Sequence, residues 1–427
     1  MTEDVSRPAW TASFRAFRHR NFRFYWTGQL VSLVGTWMQS VAQGWLMHRL
    51  TSSAFMLGLL GFVQFIPVLP FALLAGVVAD RVDKRRMLMV TQSMLLLQAT
   101  MIAAVVSAGT VQPWMVLALA FLYGIANTFD LPARQAFVIE MVGREDLANG
   151  IALNSAAFNA ARIIGPAIAG LLLAGVGEAA CFWINALSFL AVIGGLAAMR
   201  LPPRAPDARD SQSVGSTLRE GVRYAWSTTS IRQLLVLLAI CAGLGFQFNV
   251  LLPVYTRDFL HAGPGTYGLL LSAFGVGSLA AAARMTMQHD RWALRRHLLS
   301  GLTLGGIGMA GFAWVRWIPG MFAMGALAGF GLILYVSSTN ILVQMTTEDR
   351  YRGRVMSLYT LMFIGTAPFG ALLAGGIAQR WGAPVATSVC AAIMLCGALW
   401  ISRRLREIAA REHAERARAE QEAEPTA

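Results

Sequence analysis

Charge is scarce in this sequence. Acidic and basic residues make up 13% of the chain, about half the roughly 25% usual in a soluble domain. A water-soluble globule is excluded by that shortage alone. Lysine is nearly missing, with Lys84 the single one. A phosphate-binding P-loop needs a lysine followed by Ser or Thr, and Lys84 is followed by Arg85, so direct drive by ATP is excluded. Cysteine is rare too: Cys181, Cys241, Cys390 and Cys396 all fall inside apolar runs. They are expected to pack as small apolar residues, without a disulfide framework. The histidines (His19, His48, His261, His289, His297 and His413) lie in loops, tails or the ends of runs, with no metal-site spacing. No Ser/His/Asp or Cys/His constellation is present. An enzyme, a metal site and a cofactor are therefore not expected.

Hydrocarbon fills the chain instead. Hydrophobic residues are 56% and mean hydropathy is +0.55. Twelve apolar runs stand near 22–48, 54–78, 87–107, 113–132, 149–174, 179–199, 233–255, 266–284, 298–315, 319–341, 356–378 and 384–402. Each approaches the roughly 20 residues that a helix needs to cross the bilayer core. The runs are continuous rather than alternating, which disfavours a membrane β-barrel. The first run is too long for a signal h-region and lacks a small-residue cleavage site, so it reads as an uncleaved anchor.

The charges orient the spans. Thirty of the 35 cations fall on the N-terminal segment, the loops after even-numbered spans and the C-terminal tail. Only Arg49, Arg257, Arg316 and Arg380 follow odd-numbered spans, and Arg162 alone lies inside one. By the positive-inside rule both termini are expected in the cytoplasm of a multi-pass plasma-membrane protein. The net charge of +13 thus describes orientation, not a nucleic-acid surface. The excess of arginine over lysine reflects a GC-rich, bacterial genome.

A polar, proline-rich stretch around Pro202, Pro203 and Pro206 interrupts the spans after the sixth. The expected organisation is an N-terminal segment (1–21), a six-helix half (22–199), a linker (200–232), a second six-helix half (233–402) and a charged tail (403–427). A short surface helix is expected near 215–230. The tail carries Arg403/Glu407, Glu407/Arg411 and Glu412/Arg416 at i,i+4, the pattern of a solvated helix. The halves echo one another. Asp146 to Gly150 precedes span five as Asp349 to Gly353 precedes span eleven, and Gly165-Pro166 matches Ala367-Pro368 at nearly the same offset.

The loop after span two reads Gly76-Val-Val-Ala-Asp80-Arg81-Val-Asp83-Lys84-Arg85. It resembles the cytoplasmic signature of the major facilitator superfamily, Gly-x-x-x-Asp-Arg-x-Gly followed by two basic residues. Asp83 stands where the second glycine is usual. The resemblance implies twelve transmembrane helices in two pseudo-symmetric halves. Gly76, Asp80, Arg81, Lys84 and Arg85 are expected to form a gate on the cytoplasmic side, through ion pairs and a carboxylate facing a helix N-terminus. Span five carries Arg162-Ile-Ile-Gly165-Pro166-Ala-Ile-Ala-Gly170, similar to the Gly-Pro signature of major-facilitator exporters. Gly165 and Gly170 permit close helix approach. Pro166 removes a backbone donor and is expected to bend the helix, as is Pro368 in span eleven. The segments Phe17 to Gln29, Ser32 to Gln39, Asp130 to Gln135, Asn185 to Phe189 and Arg352 to Ser357 resemble an enterobactin-exporter-like branch, to which macrolide and other drug-efflux proteins are also similar.

Arg162 is costly, since a cation at the bilayer centre costs at least about 2.5–3.5 kcal/mol on insertion scales. It is expected to face a cavity. Span one carries Gln29, Ser32, Thr36, Gln39 and Gln43 on one helical face, which reads as cavity wall or as polar glue between helices. Trp37 lies beside that face. Tyr123 and Asn127 in span four, Gln247 and Asn249 in span seven, and Tyr335 and Asn340 in span ten complete the candidates. The resemblance assigns spans one, four, seven and ten to the cavity. Asp130, the acid inside a span, has two candidate roles: a gate pair with Arg81 or Lys84, or a coupling pair with Arg162. The resemblance implies proton-driven efflux of a small siderophore-like or drug-like molecule by a monomer, with protons as coupling ion. The alternatives are uptake of a small metabolite on the same fold, or a transport-inactive membrane sensor or lipid-handling protein.

Overall fold

The computed structural model describes residues 14–200, 214–245, 247–285 and 290–423. Helix is the only regular structure among them, as long apolar runs demand when the backbone must satisfy itself without water. The first half holds α1 (Arg20–Thr51), α2 (Ala54–Phe65), α3 (Val68–Arg81), α4 (Lys84–Ser107), α5 (Pro113–Val142), α6 (Leu147–Gly175) and α7 (Glu178–Ala198). A short α8 (Val214–Ser227) leads to the second half: α9 (Thr229–Gly245), α10 (Phe248–Val254), α11 (Pro264–Met285), α12 (Arg291–Trp314), α13 (Ile318–Thr346), α14 (Arg352–Gly365), α15 (Ala367–Trp381) and α16 (Ala383–Ala423). Three of the spans are composites: α2 with α3, α9 with α10, and α14 with α15.

Ten segments among the described residues are long and apolar enough to cross a membrane. The helices α1 and α12 have the length but not the hydropathy. Glutamines interrupt α1, and glycines with a basic start dilute α12. Counted with the ten, they give two groups of six. Apolar side chains such as Leu171, Leu187 and Leu399 are more than 60% exposed, an outer surface suited to lipid tails rather than water.

Local chemistry sets the breaks. Asp83 caps α4, its Oδ1 accepting from Arg86 N at 2.8 Å, and Asp290 caps α12 in the same way. The cap explains why an aspartate serves where the signature has glycine: Asp83 has φ −57°, which needs no glycine. The chain breaks between α2 and α3 at Ile66-Pro67 and between α14 and α15 at Thr366, just before Pro368. By contrast, α6 runs unbroken through Pro166. The π-turn Tyr255–Phe259 ends the seventh span after Pro253. The helix α8 falls inside the expected linker, of which 201–213 lie outside the described residues. The backbone of α16 carries on to Ala423, but the expected tail ion pairs lie outside the described side chains.

Within each half the packing is aromatic and tight. Phe248 and Tyr255 each meet Phe312 edge-on at 5.0 Å. In the first half Tyr25 meets Phe137. Helix α8 is docked on the second half: Tyr224 stacks on Tyr351 at 4.2 Å, and Glu220 pairs with Arg354 at 2.5 Å.

Candidate functional site

Loops bearing Arg81, Lys84, Arg200 and Arg350 define one end of the helices, the basic face. The turns at Ser52, Gly177 and Gly382 define the far face. The contacts that join the halves gather toward the far face. A Cβ placed on Gly170 of α6 would meet Pro264 O of α11 at 3.0 Å, and one on Gly268 would meet Gly170 Cα at 2.9 Å. Backbones this close require glycine. Ser272 Oγ donates across this seam to Ile163 O at 2.7 Å. The second seam is built alike: a Cβ on Gly375 of α15 would meet Gly58 Cα of α2 at 2.8 Å. Beyond both seams, Ser53 Oγ donates to Gln379 Oε1 at 2.8 Å, His48 Nε2 lies 3.0 Å from Asp258 Oδ2, and Trp45 stacks on Tyr267.

Toward the basic face the halves part, and α6 records the change. Gly165, Pro166, Ala169 and Gly170 are buried along one side of the helix. The same side, turns earlier, carries Ile151, Ala152, Ser155 and Phe158, all exposed. Arg162 sits between the two zones, in the middle of α6, where Gly275 of α11 comes within Cβ contact (3.2 Å) of its carbonyl. It therefore marks the apex of a cleft that opens on the basic face. Its side chain is 8% exposed. Nη2 donates to Asn159 Oδ1 at 2.8 Å, Nε has no acceptor, and the guanidinium lies 6.0 Å from the Phe158 ring centroid. Trp37 meets the same ring edge-on at 5.9 Å. No carboxylate pairs with Arg162 among the described residues.

The span-one stripe falls elsewhere. Gln39 Nε2 donates to Gln98 Oε1 (3.0 Å), and its Oε1 accepts from Asn185 Nδ2 (2.7 Å), so this glutamine ties α1 to α4 and α7. Gln29, Ser32 and Gln43 are buried as well, with only Thr36 half-exposed. The cause is the neighbour: Gly28 and Gly35, on adjoining positions of α1, let α7 press close at Ala191 and Asn185. Gln39 thus acts as glue inside the first half, while Gln29 Oε1 and Gln43 Nε2 are buried with no partner among the described residues. Tyr335 and Gln247 are likewise buried inside the second half, Gln247 Nε2 donating to Gly243 O at 2.8 Å. Tyr123, Asn127, Asn249 and Asn340 are partly exposed, and Asn340 Oδ1 accepts from Gln344.

The expected gate residues separate. Asp80 and Arg81 are exposed, with no ion pair among the described residues. A Cβ on Gly76 would meet nothing within 4 Å. Lys84 pairs with Glu140 at 2.9 Å, and Arg85 donates to Leu196 O and Ala197 O. Asp130 pairs neither with the gate nor with Arg162. Its Oδ1 accepts from Thr91 Oγ1 and Gln92 Nε2, each at 2.7 Å, and its Oδ2 takes Arg134. The i,i+4 position of Arg134 on the same helix puts a cation nearer than either expected partner.

Sequence reasoning missed one further cluster. Asp146, 1% exposed, takes Arg18 Nε and His19 Nε2 at 2.7 Å each, with Arg15 at 3.5 Å. The His19 hydrogen bond, reinforced by the arginines, holds its carboxyl below the usual carboxylate range. The clamp pins Arg15–Arg18 to the start of α6, where Asn149 Oδ1 also accepts from Ala16 N. A signal was present: an acid just before a helix, opposite the basic N-terminal segment.

Residues 11–425 match the family model described as transmembrane secretion effector. The chain belongs to this family of the major facilitator superfamily. It is similar to the multidrug efflux pump Tap of Mycolicibacterium fortuitum, 27% identical over 83% of this chain and 88% of that one. It is also similar to the staphyloferrin A transporter of Staphylococcus aureus, 24% identical over 84% and 90%. Among solved structures, the nucleoside transporter NupG superposes with TM-score 0.74 at 12% identity, over 90% of this chain and 99% of that one. A bacterial homologue of the human lysosomal transporter Spinster, inward-facing and occupied, gives TM-score 0.69 at 12% identity, over 90% and 96%. These likenesses establish the fold. A secretion effector of this superfamily is a multi-span membrane transporter of small molecules, not an enzyme.

Proposed function

We propose that the protein exports a small organic molecule from the cytoplasm by alternating access of its two halves, driven by the proton gradient. The observation that carries this reading is Arg162 at the apex of a cleft closed on the far face and open on the basic face. By the positive-inside rule, the cation distribution supports a cytoplasmic basic face and, with it, cytoplasmic termini. The cleft then opens where an exporter loads its cargo. Transporter sites lie at the interface of structural repeats near the midplane, and the position of Arg162 in the middle of α6, beside Gly275 of the other half, supports that role.

Exposed Asp80 and Arg81 fit the same state. With the cytoplasmic side open they have nothing to grip, and closure of that side would bring the second half toward them. The relatives named for drug efflux and for staphyloferrin A transport support cargo of drug-like or siderophore-like size. One chain holds both halves, so a monomer suffices. The test is flux from inside-out vesicles under an imposed proton gradient. Cargo should accumulate in the lumen and uncoupler should abolish it. Export that persists with uncoupler removes the proton from the mechanism, and accumulation by intact expressing cells reverses the direction.

A further inference from the structure

We infer that the cleft of this protein takes an organic anion: an aromatic body bearing a carboxylate, seated with the carboxylate on Arg162. The inference rests on the export reading only in calling this ligand cargo. Three observations carry it. First, Arg162 is buried at the apex with its Nε unpartnered and only the neutral Asn159 on its other side. A guanidinium offers five donors in a planar fork that matches a carboxylate, and a buried cation without a counter-charge is costly until one arrives. Second, three acids in or at the ends of the spans are committed elsewhere. Asp130 is held by Arg134, Thr91 and Gln92, Glu140 by Lys84, and Asp258 by His48 at the far face. The apex thus keeps a net positive charge, which opposes a lipophilic cation.

Third, the row of side chains leading from the cleft to Arg162 suits an aromatic body. Asn154, Phe158 and Arg162 follow at i,i+4 along one side of α6. Phe158 is 45% exposed and meets Trp37, so a ring sliding toward the apex finds a flat apolar surface. Asn154, one turn nearer the mouth, is half-buried, with its Oδ1 covered and unpartnered. Charge at the apex and rings beside it form one continuous track.

The test uses purified full-length protein in detergent and three isosteric probes: 2-naphthoate, 2-naphthamide and 2-naphthylmethylammonium. Binding is read by the shift of the thermal unfolding midpoint with probe concentration. Naphthoate should stabilise saturably and bind at least about tenfold more tightly than the amide, with the ammonium weakest. Arg162→Gln should erase the preference for naphthoate, and Arg162→Lys should keep part of it. Phe158→Ala, at an exposed position, keeps the claim testable should Arg162→Gln fail to fold, and it should weaken naphthoate several-fold. Equal binding of the amide or ammonium, a naphthoate effect untouched by these variants, or no effect at millimolar naphthoate overturns the inference. Export of a cationic dye by vesicles whose protein ignores naphthoate would sink the anion and spare the export reading. Naphthoate binding without any vesicle flux would do the reverse.

Discussion

His48 at the end of α1 and Asp258 in the π-turn of the seventh span lie 3.0 Å apart and join the two halves at the far face. The histidine is 1% exposed while its partner is half-exposed, so the contact sits at the rim of the seal. A π-turn at such a place is a common mark of a functional position. In the proposed alternating-access cycle this contact would break once per turnover.

Weakening it should therefore change populations rather than folding. Asp258→Ala removes one hydrogen bond, worth about 1 kcal/mol, or roughly a fivefold shift toward the state open on the far face. Spin labels at Phe55 and Trp381, both exposed on that rim, would report it as growth of a longer distance. An unchanged distance distribution would mean that His48–Asp258 is incidental to the seal.

The glycine seam should act as a stronger switch. A leucine at Gly375 would place its Cβ 2.8 Å from Ala54 O and from Gly58 Cα, with the rest of the side chain still to fit. The clash lies between halves and not within one, so each half should still fold. Gly375→Leu is expected to express normally, abolish transport and hold the same label pair apart. Collapse of expression would instead show that the seam is needed for assembly.

The all-helical, multi-span fold and the family were legible in the sequence because hydropathy and the Gly76–Arg85 motif each report a property of the chain itself. So was Arg162, since a lone cation in an apolar run is conspicuous without any structure. The span-one stripe was half legible. Periodicity put Gln29 through Gln43 on one face, but which helix covers that face depends on Gly28 and Gly35 meeting α7. Asp130 failed for a related reason. Its depth resembled that of the gate, yet Arg134 on its own helix, with Thr91 and Gln92 from α4, lies closer. A partner such as Gln98 carries no sequence signal of its own, because a single amide in a span is recognisable only beside the amide it meets.

The Asp146 clamp should respond to pH in one direction. Its carboxyl is held below the usual range by the His19 hydrogen bond, with Arg18 and Arg15. A depressed carboxylate contributes fully above its unfolded value near 3.9, and the contribution fades as pH falls through the lower folded-state value. The N-terminal segment should therefore stay docked at neutral pH and loosen only in strong acid. Asp146→Asn imitates the protonated state at neutral pH. It should raise amide hydrogen exchange several-fold at residues 15–19 and leave α6 beyond its first turn protected. Unaltered exchange at those residues would mean that Ala16 and Asn149 hold the segment without the carboxylate.

The pair Asp130–Arg134 allows structure to be separated from coupling. Asp130 is buried and fully engaged, whereas Arg134 keeps one unpartnered nitrogen, Nη1. Replacing the acid alone strands the guanidinium, a loss of about 3–5 kcal/mol for a broken buried pair. Asp130→Asn should therefore lower the thermal midpoint sharply. The double change Asp130→Asn with Arg134→Gln removes both charges and should recover most of that midpoint, because no uncompensated ion remains. Flux then discriminates. If the pair is purely structural, the recovered double variant should export under a proton gradient as the parent does. If Asp130 also carries the coupling proton, the double variant should fold yet lose gradient-driven flux, keeping only downhill exchange. A single Asp130→Asn variant with an unshifted midpoint would overturn the structural assignment itself, since it would mean that Arg134 finds another counter-charge in the folded protein.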